Sequence, residues 1–96
     1  MLKYNKPFLD KLVAIINESG YKVRFEKGNF VSGYALVKEK KMVLINKFLS
    51  IETKVNTIMD IMFELQIDRE KLSANSLNLF KQLIKSGLLN KNESSV

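Results

Sequence analysis

Apolar residues recur at Phe8, Leu12, Ile15 and Ile16, flanked by Leu9 and Val13, with Asp10, Lys11, Asn17 and Glu18 on the other side. Steps of three and four predict an amphipathic helix over residues 5–19. Asn5 is suited to cap it, Pro7 falls in the first turn where its missing N–H costs little, and Gly20 marks its end. From Tyr21 the period becomes two: Tyr21, Val23 and Phe25 alternate with Lys22, Arg24 and Glu26, as in a half-buried strand. Lys27-Gly28-Asn29 signals a turn, because Gly and Asn accept positive φ readily. Residues 30–33 lengthen that connection, so the second strand, 34–39, does not follow through a two-residue hairpin. Lys40 and Lys41 turn the chain into a third strand, 42–45. Its unbroken apolar run calls for cover on both faces, or on one face with the other in an interface.

Ser50 is a good cap for a helix reaching residue 66. Ile51, Val55, Ile58, Met62 and Leu65 form its stripe, and Met59, Ile61 and Phe63 widen it beyond one face. Such a helix is central to the core or touches a partner as well. Asp68-Arg69-Glu70-Lys71 is a charged connection. Ser73 or Ser76 can cap a last helix to residue 86, with Leu77, Phe80, Leu83 and Ile84 inward and Gly87 ending it. Leu88 and Leu89 are expected to fold back, and residues 90–96 to fray. The order is α-β-β-β-α-α. Grouped strands with helices at either end predict a single α+β domain: a three-stranded antiparallel sheet with helices packed mainly on one face.

The 96 residues contain no cysteine and no histidine. Disulfides, thiolate zinc sites and cysteine nucleophiles are thereby excluded, as are the usual neutral-pH general base and the commonest metal ligand. The expectation is a protein that is not an enzyme and has no cofactor or metal. Leu12 to Ile16 is the longest apolar run, far short of the roughly 20 residues that span a bilayer. Asp10 and Lys11 break any signal-peptide pattern, so a cytoplasmic protein without membrane partners is expected.

The net charge of +6 sharpens this picture because it is unevenly spread. Residues 21–47 hold seven basic residues against Glu26 and Glu39, which is five of the six excess charges. Lys22, Arg24, Lys38, Lys40 and Lys41 are the candidate nucleic-acid-binding residues, since clustered cations neutralise phosphates. The aromatics Tyr21 and Phe25 alternate onto the opposite strand face and belong to the core rather than to a stacking platform. Edge lysines also guard a sheet against aggregation. Asp60 and Glu64, one helical turn apart, could offer oxygens to a hard cation, but no third ligand is apparent. With Thr53, Asn56 and Thr57 they read as the wetted stripe of their helix.

Two resemblances add to these readings. Gly20, Tyr21, Val23, Arg24, Glu26 to Phe30, Gly33 and Tyr34, followed by Ile45 to Phe48, match a pattern shared by a group of short uncharacterised bacterial proteins. That resemblance supplies a family without an activity. The run Met42-Val43-Leu44-Ile45-Asn46, then a capped helix containing Thr57 to Leu65, resembles small bacterial zinc metallopeptidases associated with phage-repressor cleavage. Their helix carries Thr-Leu-Ala-His-Glu-Leu-x-His. Here Asp60 and Glu64 stand at the zinc-histidine positions and Ile61 at that of the catalytic glutamate. The zinc chemistry needs two imidazoles and a carboxylate base. The resemblance therefore implies a shared strand-then-helix layout in an inactive relative. Taken together, the expectation is a small binding or accessory module, self-associating through its third strand or central helix. Nucleic-acid or polyanion binding through the basic face of the sheet is the alternative.

Overall fold

A computed structural model describes residues 4–28, 33–65 and 67–87. The elements are α1 (Lys6–Glu18), β1 (Lys22–Glu26), β2 (Tyr34–Val37), β3 (Met42–Asn46), α2 (Ile51–Glu64) and α3 (Ala74–Lys85), with short 3₁₀ turns at Lys38–Lys40 and Arg69–Lys71. Asn29 and Phe30 of the expected turn, Gln66, the return of Leu88 and Leu89, and the tail 90–96 lie outside the described residues.

Each helix begins where its sequence offers a cap. The Asn5 side chain accepts from the Phe8 N–H at 3.0 Å, Ser50 Oγ from Thr53 N–H at 3.1 Å, and Ser73 Oγ from Ser76 N–H at 3.2 Å. Each satisfies a donor with no partner inside the helix, worth about 1 kcal/mol. Glu18, at the end of α1, reaches the same start of α3: its carboxylate accepts from Ser73 N–H at 2.8 Å and from Ser76 Oγ at 3.1 Å. A negative charge at a helix N-terminus is favourable, so this tie fixes how α3 meets α1.

The sheet order is β1-β3-β2. β2 runs antiparallel to β3, as expected, but β1 runs parallel to it. The expected antiparallel sheet is thus corrected to a mixed one. The physical reason lies in β3. Its continuous apolar run suits the central position, where a neighbour on each edge satisfies the backbone. The long connection after β1 carries the chain past that position to the far edge before it turns back. The second strand also stops earlier than expected: residues 38–40 coil into a 3₁₀ turn that closes on Lys41, which takes a left-handed conformation at φ 49°.

Register fixes the two faces. Val23, Val43 and Leu36 lie in one row and Phe25, Ile45 and Tyr34 in the next, all on the inner face. Val43 and Ile45 are fully buried in one cluster with Phe8, Leu12, Ile15 and Ile16 of α1, Ile58, Ile61 and Met62 of α2, and Phe80 and Leu83 of α3; the other four inner-face residues pack against it. Rows Lys22–Met42–Val37 and Arg24–Leu44–Ala35 make the outer face, and none of these residues belongs to that cluster.

Candidate functional site

The outer face is graded across its strands. β1 contributes Lys22 and Arg24, both exposed, while β3 and β2 contribute half-buried Met42, Leu44, Ala35 and Val37. Arg24 is not a free cation: its guanidinium Nη2 lies 2.8 Å from Glu26 Oε2, two residues along the same face.

The fold gathers the lysines singled out in the sequence at one end of the sheet. The Lys22 N–H donates to the Lys41 carbonyl at 2.8 Å, and the Lys41 N–H to the Lys38 carbonyl at 3.1 Å. Lys38, Lys40 and Lys41 are exposed on the turn that links β2 to β3. Of the five candidates, then, Lys22, Lys38, Lys40 and Lys41 share this end, whereas Arg24 stands one row inward and is paired.

Beside this end a cleft of about 640 Å³ opens toward the C-terminal end of α2. Lys38 and Lys41 line it from the turn, Tyr21 from just before β1, Glu64 from the last residue of α2, and Asp68 and Lys71 from the α2–α3 connection. Lys71 escaped the sequence reading because thirty residues separate it from Lys41; its only signal was the charged Asp68–Lys71 connection. Ser19 also lines the cleft, and its buried hydroxyl has no hydrogen-bond partner among the described residues. A buried hydroxyl left unmade costs about 1–3 kcal/mol.

Asp60 and Glu64 are both exposed on α2. The Tyr34 hydroxyl donates to Glu64 Oε1 at 2.7 Å. That hydrogen bond, helped by desolvation and by the charges of Glu64 and Asp60, raises the Tyr34 pKa above the usual phenol value. Ile61 is fully buried, so it does not share a surface with Asp60 and Glu64. β3 is followed by α2, whose N-terminus Ser50 caps. Among the described residues no group of three or more His, Cys, Asp or Glu side chains is placed to hold a metal ion, and no helix is long and apolar enough to cross a membrane.

At the opposite end of β3, Asn46 Oδ1 accepts from the Phe48 N–H at 3.0 Å. Phe48 is 69% exposed, with the Lys47 ammonium 5.4 Å from its ring centroid. Single exposed apolar side chains of this kind are ordinary.

No family model matches the chain, and no solved structure matches it. An aminomethyltransferase of Caldanaerobacter subterraneus subsp. tengcongensis is 32% identical over 69 residues. The aligned part is 72% of this chain and 18% of that protein, so the chain spans less than a fifth of the relative's length.

Proposed function

We propose that this chain is a small non-enzymatic binding module that self-associates through the outer face of its sheet, the helices packing mainly over the inner one. The observation that carries this reading is the separation of the two faces. Val43 and Ile45 are consumed by the core, while Met42, Leu44, Ala35 and Val37 form an apolar strip outside it. A second copy suits this strip because Arg24 and Glu26 place opposite charges side by side along its border. Across a two-fold axis each could meet the other's counterpart, which is the self-complementarity an isologous contact requires.

Size limits the strength. Three strands about 4.8 Å apart and five residues at about 3.3 Å each make a patch of roughly 240 Å². Stable complexes bury about 800 Å² on each partner, so the association is weak and transient. Sedimentation velocity from about 10 µM to about 1 mM, the range where weak complexes populate, should show the average mass rising with concentration. Leu44→Lys should hold the protein monomeric. A constant monomer mass throughout would defeat the reading.

A second reading is binding of nucleic acid or another polyanion through Lys22, Arg24, Lys38, Lys40 and Lys41. The gathering of four of these lysines at one end of the sheet favours it, and the pairing of Arg24 with Glu26 weakens it. Heparin retention that falls steeply with salt would support it. Retention equal to that of a neutral protein of this size would remove it.

A further inference from the structure

We infer that the cleft at the lysine end of the sheet is a site for a compact anion carrying two or more negative charges, of the pyrophosphate or phosphorylated small-molecule class. Lys38, Lys41 and Lys71 all line it, the first two from the β2–β3 turn and the third from the α2–α3 connection. Ammonium groups brought to one space from two separate elements repel one another, and an anion between them relieves that repulsion. Among the described residues none of the three is in an ion pair.

The two carboxylates in the lining are already engaged. Glu64 accepts from the Tyr34 hydroxyl at 2.7 Å, and Asp68 Oδ1 accepts from the Glu70 N–H at 3.1 Å. The lysines supply the charged donors of the cleft, three each, and the Ser19 hydroxyl, without a hydrogen-bond partner among the described residues, adds another. Tyr21 adds a ring at its edge. The volume, about 640 Å³, lies within the range of small-molecule sites.

The same carboxylates decide the size of the ligand. Glu64 and Asp68 share the lining with Lys38, Lys41 and Lys71, which suits a ligand small enough to sit on the lysines and opposes a long polyanion running the length of the cleft. The site is separate from the apolar strip and does not depend on self-association.

The test is calorimetric titration of the full chain with pyrophosphate, alongside inorganic phosphate and a single-stranded oligonucleotide. Saturable pyrophosphate binding is expected, weaker binding of phosphate, and no saturable binding of the oligonucleotide. Lys41→Gln and Lys71→Gln should each weaken pyrophosphate binding at least about tenfold, since each removes a charge-assisted hydrogen bond. Lys85→Gln, on α3 away from the cleft, should leave it unchanged. All three positions are exposed, and unchanged melting temperatures would verify that the variants fold. The inference is overturned by absence of saturable pyrophosphate binding up to about 10 mM, the weak limit for a specific site. It is equally overturned by the same loss in Lys85→Gln, or by oligonucleotide binding that ignores Lys71→Gln.

Discussion

Tyr34 is the residue at which sheet and helix chemistry meet. Its ring packs against the core, while its hydroxyl reaches Glu64 across thirty residues of sequence. Tyr34→Phe keeps the ring and removes that bond. With Glu64 exposed, the expected loss is at the low end of the roughly 0.5–1.5 kcal/mol typical of one hydrogen bond. The pH dependence has a definite sign. The folded-state pKa is raised above the ordinary value of 10.0. The contribution is therefore complete below that value and is lost as pH rises through the folded pKa. Denaturant unfolding of both proteins should show their stability gap constant from neutral pH to about 10 and closing above it. Lys41 offers a second test: its left-handed backbone favours glycine, so Lys41→Gly should leave stability unchanged or raise it by up to about 1 kcal/mol. At this scale the sequence was informative about side and uninformative about partner. Alternation alone placed Lys22 and Arg24 opposite Tyr21 and Phe25. Nothing local announced that the Tyr34 hydroxyl would donate to Glu64 or that Lys71 would join Lys38 and Lys41.

The elements themselves were legible because each announces its own ends. Asn5, Ser50 and Ser73 cap the helices as their positions suggest, and the apolar stripe of α1 is the stripe that is buried. Pairing was not legible, because strand period says which face a residue takes and not which neighbour it meets. The glycine-containing connection of residues 27–33 is compatible with either an adjacent antiparallel strand or a passage to the far edge. The choice is made by burial: β3 carries the fully buried Val43 and Ile45, and the centre is where both its edges are paired. This assignment predicts a contrast between neighbouring residues. Ile45→Ala, at a fully buried inner position, should cost about 2–5 kcal/mol by leaving a cavity. Leu44→Ala, on the outer face, should cost less than half as much, because its side chain is only half-buried and lies outside the core cluster. Equilibrium urea unfolding measures both, and equal losses would mean that the two faces are not distinguished as described. Glu18→Ala should destabilise by about 1–3 kcal/mol, since two donors at the start of α3 lose a charged acceptor.

For the molecule as a whole, the uneven charge and the uneven burial divide the sheet in the same way. The inner face is spent on the core shared with α1, α2 and α3, and the outer face carries the apolar strip with Lys22 and Arg24 along its border. The lysine turn and its cleft lie at one end, and the exposed Phe48 follows β3 at the other. The proposed binding through the outer face is checked by following backbone amide NMR shifts of the full chain as its concentration is raised. Progressive shifts are expected at Lys22, Arg24, Ala35, Val37, Met42 and Leu44, abolished by Leu44→Lys. Spectra that do not change with concentration, or changes centred on residues of α1 and α3, would contradict it.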